Sequence, residues 1–132
     1  MLIGSCLCGV IKYEIEAELC QATIRHCIKC RKASGASFAT NALALVESFR
    51  FAEGADLYRE WESSPGNRQC FCIRCGSPIM KLHIDRPENG RLRLGILDLN
   101  PGVNPSRHIF IRSRAAWVEI MDHLPTFEER GS

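Results

Sequence analysis

Six cysteines in three tight pairs, Cys6-Leu7-Cys8, Cys27-Ile28-Lys29-Cys30 and Cys72-Ile73-Arg74-Cys75, constrain this chain more than any other feature. Each pair brings two soft sulfur ligands within reach of one metal ion. Four sulfurs close one tetrahedral site, so three pairs complete one site and leave a pair over. Glycine follows the first and third pairs directly, at Gly9 and Gly76. A thiolate knuckle favours such a residue, because the backbone must turn tightly for its N–H groups to approach the sulfurs. The glycines therefore assign Cys6, Cys8, Cys72 and Cys75 to the closed site, where metal affinity becomes folding free energy. The competing assignment joins the two C-x-x-C pairs as a zinc ribbon and leaves Cys6 and Cys8 over; Arg31 and Lys32, which follow Cys30 in place of glycine, weigh against it. Zinc is the default ion for four sulfurs, and iron takes the same geometry.

Thiolates rather than disulfides are expected from the context. The start of the chain has neither a charged leader nor a long apolar run, so the reading is a cytoplasmic protein with reduced thiols and no membrane partner. At 132 residues, residues 1–132 are read as one domain with a real core. A hydrophobic content of 45% against 24% charged excludes a disordered chain. A net charge of +2 makes no case for nucleic acid. Oligomeric state is not legible. Cys20 and Cys70 form no short pair of their own with a free cysteine and are read as small, buried, inert residues.

Alternation of apolar and polar residues predicts strands around Ile11, Tyr13 and Ile15, around Phe49 and Phe51, and around Met80, Leu82 and Ile84. The same period predicts others at Leu92, Leu94 and Ile96 and at Ile109 and Ile111. Glu53-Gly54, Ser64-Pro65-Gly66-Asn67, Pro87-Glu88-Asn89-Gly90 and Asn100-Pro101-Gly102 punctuate them as turns. The fold class is mainly β, with one short helix expected from Arg31 to Ala36.

The middle pair sits inside Arg25-His26-Cys27-Ile28-Lys29-Cys30-Arg31-Lys32, two thiols among four cations and a histidine. Nearby positive charge lowers a thiol's pKa, so Cys27 and Cys30 are the candidate reactive residues. Arg25, Lys29, Arg31 and Lys32 are the candidate contacts for an anionic substrate. Ser63, Ser64 and Arg68 are second-rank contacts on a loop before the third motif. Trp61 and Trp117 read as core aromatics, His83 as solvated, and His108 as a hydrogen-bonded structural histidine. Asp98 reads as a brace for the Asn100-Pro101-Gly102 turn. A redox dithiol at Cys27 and Cys30 fits the spacing, but no thioredoxin-like βαβ pattern surrounds it.

Gly4-Ser5-Cys6-Leu7-Cys8-Gly9, His26-Cys27-Ile28-Lys29-Cys30-Arg31-Lys32 and Phe71-Cys72-Ile73-Arg74-Cys75-Gly76-Ser77 together resemble the glutathione-dependent formaldehyde-activating enzyme family, also called the GFA or centromere-protein-V domain. Ala33-Ser34-Gly35-Ala36, Gly95-Ile96-Leu97-Asp98, His108-Ile109-Phe110-Ile111, Trp117 and Leu124-Pro125-Thr126-Phe127 extend the resemblance over nearly the whole chain. It implies a zinc-binding β-tent fold, with a structural zinc on the first and third motifs. It also implies carbon–sulfur lyase chemistry on adducts of a small thiol, glutathione, with an aldehyde. Enzyme members hold a second zinc with three cysteines spaced C-x-C-x-x-C, of which Cys27 and Cys30 supply two. Arg25 stands where the first would be, and an arginine offers a metal no lone pair. The second zinc is therefore expected to be loose, substrate-dependent or absent, its third ligand drawn from His26, Cys70, water or the substrate's thiol. The alternative to an enzyme is a non-catalytic binding module on the same zinc scaffold.

Overall fold

The computed structural model describes residues 1–130 and is mainly β, with two sheets and one α-helix among those residues. Its strands are β1 (Leu2–Ser5), β2 (Lys12–Ile15), β3 (Cys20–Arg25), β4 (Ala39–Leu45), β5 (Phe49–Glu53), β6 (Tyr58–Ser64), β7 (Asn67–Cys72), β8 (Pro78–His83), β9 (Asn89–Arg93) and β10 (His108–Ile109). The small sheet runs β1-β2-β5 and the large one β10-β3-β4-β9-β8-β7-β6. All pairings are antiparallel except β10 on β3. This is the two-sheet β architecture that the family resemblance implies.

Alternation shapes β2. Tyr13 and Ile15 are buried while Lys12 faces water, so one face of the small sheet is apolar. That face meets the apolar face of the large sheet, where Ala42, Ala44, Met80, Leu92 and Cys70 are buried. A chain of rings stitches the sheets together: Tyr13 on β2 stacks on Phe49, Phe49 meets Phe51 edge-on, and Phe51 meets Tyr58 on β6, with centroids 4.9, 5.0 and 5.0 Å apart. Such contacts add about 0.5–1.5 kcal/mol each beyond their buried area.

The helix, α1 (Ile28–Ser34), begins three residues before the position expected. Cys27 is its N-cap, its sulfur accepting the Cys30 N–H at 3.3 Å, and Gly35 ends it in the left-handed conformation. The sulfur of the middle motif thus starts the helix that the sequence places after the motif. No helix among the described residues is long and apolar enough to cross a membrane.

Three smaller expectations are corrected. Trp61 and Trp117 are 63% and 74% exposed and belong to no core; Trp61 stands on the edge strand β6, away from the apolar face. Cys20 is exposed, at the start of β3, whereas Cys70 is buried as expected. Asp98 does not brace the following turn. Its carboxylate accepts the Ser5 hydroxyl at 2.8 Å and its N–H donates to the Ile3 carbonyl at 2.9 Å, while Asn100 caps Gly102.

Candidate metal centre and the cleft beside Cys27

Cys6 and Cys8 lie in the connection from β1 to β2. Cys72 ends β7, and Cys75 follows in the connection to β8. The two segments come from different sheets and meet. All four sulfurs lie within 4.8 Å of one another, with Cys6 and Cys8 3.5 Å apart and Cys8 and Cys72 3.9 Å apart. Zinc bound to sulfur at about 2.3 Å in a tetrahedron separates its ligands by about 3.8 Å, so these distances fit a four-thiolate metal site. The knuckles share one construction. Gly9 (φ +80°) donates to the Cys6 carbonyl at 2.9 Å, and Gly76 (φ +78°) donates to the Cys72 carbonyl at 2.7 Å. Only glycine takes that backbone without strain. Ser77 ties one knuckle to the other, its hydroxyl accepting the Leu7 N–H at 2.8 Å and its carbonyl the Cys72 N–H at 3.1 Å.

The electrostatics call for a cation. Burial opposes ionisation at Cys75, but the hydroxyl and N–H of Ser77 and the Cys8 N–H pull its thiol down to about 5. At Cys8 the Val10 N–H favours the thiolate, yet desolvation and the three neighbouring sulfurs push the thiol up to about 11. Four sulfurs this close share negative charge poorly among themselves, and a divalent ion removes the conflict. The ligand set ties the small sheet to the β7–β8 hairpin of the large one.

The spare pair is placed differently. Cys27 and Cys30 are joined as a disulfide, so in this state neither sulfur is free to ligate. Among the described residues no third cysteine, histidine or carboxylate joins them in a metal-holding group. The donor set therefore does not fit a second zinc, and Arg25 is the reason in sequence. His26 and Cys70, weighed as third ligands, are both buried and neither joins Cys27 and Cys30 in a ligand cluster, although the His26 Nδ1 has no partner among the described residues. His26 Nε2 bonds His108 Nδ1 at 2.8 Å, and Cys70 lies in the core.

His26 belongs to a relay, buried at its two histidines and open to solvent at Asp122, that ties the segment around Asp122 to β10 and the end of β3. Asp122 takes a hydrogen bond from His108 Nε2 at 2.8 Å, which leaves His108 Nδ1 to accept from His26 Nε2. His108 is thus the structural histidine expected. Burial, then the His108 and Arg114 charges, hold His26 down to about 4, well below its usual range. An unfolded histidine takes up a proton near pH 6.5, so the unfolded state binds more protons than the folded one between about pH 6.5 and 4. Stability is expected to fall as pH drops through that window, by at most about 1.4 kcal/mol per pH unit from this group. Thermal melts from about pH 7 to 4.5 check it: His26→Gln lowers stability at neutral pH but flattens the acid limb. An unchanged acid limb in the variant assigns the acid lability to other groups.

The disulfide borders a cleft of about 360 Å³ lined by Arg25, Lys29, Ser63, Ser64, Gln69 and Lys81, among others. It continues into a second space of about 390 Å³ with Arg25, Asn67, Lys81, His83 and Arg130 common to both. Of the expected contacts, Arg25, Lys29, Ser63 and Ser64 face this cleft; Arg31, Lys32 and Arg68 line neither space. Arg25 is 8% exposed, its guanidinium 5.5 Å from the centre of the Phe110 ring. Lys81, His83 and Arg91 also line this space, although alternation in β8 and β9 reads them as solvent-facing. The signal in sequence is the set of positive residues Lys81, Arg91 and Arg93, all at polar positions of two strands.

A family model described as glutathione-dependent formaldehyde-activating enzyme matches residues 1–113. Among solved structures, a crystal structure of a Rhodobacter sphaeroides protein is 25% identical, with a TM-score of 0.60, covering 78% of this chain and 91% of the other. Comparison with curated proteins finds no match.

Proposed function

The chain belongs to the glutathione-dependent formaldehyde-activating enzyme family, and from that premise we propose that it makes or breaks the carbon–sulfur bond between a small anionic thiol, glutathione first, and an aldehyde. The observation that supports this reading is the cleft. It places the Cys27–Cys30 pair beside Arg25, Lys29 and Lys81, positive groups suited to a thiolate and to carboxylates. In the cleavage direction the adduct's hydroxyl gives its proton to the Cys27 thiolate of the reduced pair, which lines the cleft. The carbon–sulfur pair of electrons returns to sulfur, and aldehyde and thiolate separate. Arg25 and Lys81 lower the energy of that thiolate, and Lys29 holds a carboxylate at the rim. Cys27 and Cys30 act in the reduced state, Cys27 with its sulfur already accepting the Cys30 N–H. Cys6, Cys8, Cys72 and Cys75 would hold zinc, which supplies folding energy and no step of the reaction.

The Cys27–Cys30 bond favours one other reading, a dithiol that exchanges with the bound thiol. A substrate thiolate attacks one sulfur, the other cysteine leaves as thiolate, and a second substrate thiolate then releases the mixed disulfide. This consumes two thiols, yields one small disulfide and reduces the pair.

Calorimetry with glutathione on the reduced protein, followed by adduct kinetics against the uncatalysed reaction, separates these. Binding and a rate above background that falls at least about tenfold in Cys27→Ser are expected. About one equivalent of small disulfide per oxidised chain, with Cys27 and Cys30 left reduced, supports exchange. No binding and no rate above background refutes both.

A further inference from the structure

The register of the large sheet gathers an unusual row of side chains on the face opposite the core. Gln69 on β7 faces Lys81 on β8, and Lys81 faces Arg91 on β9. Arg93 faces Asn41 on β4, which faces Thr23 on β3. Residues two apart on a strand share a face, so Arg25 lies with Thr23, and Arg93 with Arg91. Four cations, Arg25, Lys81, Arg91 and Arg93, therefore share one face, and among the described residues none of them makes an ion pair.

Two of them are buried, Arg25 at 8% and Arg93 at 5% exposed. Buried arginine is rare without a partner. Arg93 reaches the neutral oxygens of Asn41 and Gln69, at 3.2 and 3.0 Å. Its Nε, the Arg25 Nε and the Asn41 Nδ2 are buried donors with no acceptor among the described residues. Three such donors on one face, each costing about 1–3 kcal/mol if left unmet, describe a surface built around acceptors from elsewhere. Mutual repulsion agrees with the geometry. Burial, then Arg25, Arg93, Arg130 and Arg91, hold the Lys81 ammonium down to about 8.

We propose that this face is a binding site for a compact polyanion, a phosphate-ester or polycarboxylate group with at least two negative charges, carried by the substrate whose sulfur meets Cys27 and Cys30. The link to the sulfur rests on the function proposed above; the anion site itself rests only on the face. Glutathione carries two carboxylates and an ammonium, too little net charge to neutralise four cations. Glutathione therefore fills only part of this face, and a more highly charged thiol is expected to bind more tightly than glutathione. A protein keeps unpaired buried cations at a cost in stability, and a ligand that meets them offsets it.

Pyrophosphate, citrate and acetate, none of which has a thiol, test the face by calorimetry on the wild-type chain. Pyrophosphate or citrate is expected to bind at least about tenfold more tightly than acetate, and the tighter of the two identifies the source as ester or polycarboxylate. Lys81→Gln and Arg91→Gln, made separately in case one misfolds, each weaken that binding about tenfold, while each raises the melting temperature of the ligand-free chain. Lys12→Gln on the far sheet removes the same charge and leaves binding unchanged. Binding no tighter than acetate's, or equal binding in the Lys81 and Arg91 variants, overturns the proposal. Binding of pyrophosphate without any adduct chemistry keeps the anion site and refutes the function instead.

Discussion

Cys72→Ser is expected to abolish cooperative folding. Cys72 is fully buried at the end of β7, its N–H bonded to Ser77 and its sulfur facing Cys8 across the two sheets. A serine hydroxyl is a poor replacement for a thiolate, so the four-sulfur site loses its closure. Structural zinc contributes an apparent binding free energy of about 10–16 kcal/mol in small zinc domains. The net stability of a domain is about 5–15 kcal/mol. The metal term is therefore as large as everything else left over, and losing it decides the outcome. Cys70→Ser is the matched control, a buried cysteine two residues away and outside the cluster, with an expected cost of about 1–3 kcal/mol from a buried hydroxyl. Melts followed by circular dichroism, with a chelator titration of the wild type in parallel, read both. A Cys72→Ser protein that melts like Cys70→Ser contradicts a structural role for the site.

The second large effect is expected at Arg25. Reduced Arg25→Cys should take up about one more zinc per chain than the reduced wild type, because it restores three sulfurs in the spacing C-x-C-x-x-C. The change also removes a buried charge that Arg91, Arg130 and Arg93 crowd, so the fold has no electrostatic reason to resist it. The oxidised variant should show no gain, since the Cys27–Cys30 bond withholds two of the ligands. Metal analysis after dialysis under reducing and oxidising conditions reads the difference. No extra metal in the reduced variant would mean that the backbone, rather than the arginine, keeps a metal out.

The four-cysteine cluster that could hold a metal is legible in the cysteine spacing and the two glycines. Knuckle geometry is local: a short pair and one glycine define it, and the sequence displays both. The helix starts earlier than the sequence suggests because its first turn depends on a sulfur acting as a cap, a role cysteine seldom advertises. Strands β3, β4, β6 and β7 are hidden for a different reason. The small residues of Ala39–Leu45 and the polar residues of Tyr58–Ser64 show little alternation, and their pairing depends on neighbours distant in sequence. The cationic face is legible only from register. Lys81, Arg91 and Arg25 sit on three strands that come together through β4 and β9, and no window of sequence holds them at once. Trp61 and Trp117 show the limit of size as a guide, since a large aromatic ring predicts burial only where a strand face provides it.

The central claim is that the four sulfurs of Cys6, Cys8, Cys72 and Cys75 form a metal site independent of Cys27 and Cys30. The zinc-to-protein ratio, measured on wild type and on Cys27→Ser/Cys30→Ser purified together under reducing conditions, tests it most directly. About one zinc per chain in both is the expected result. A ratio of about two in the wild type, or loss of zinc in the double variant, would contradict it.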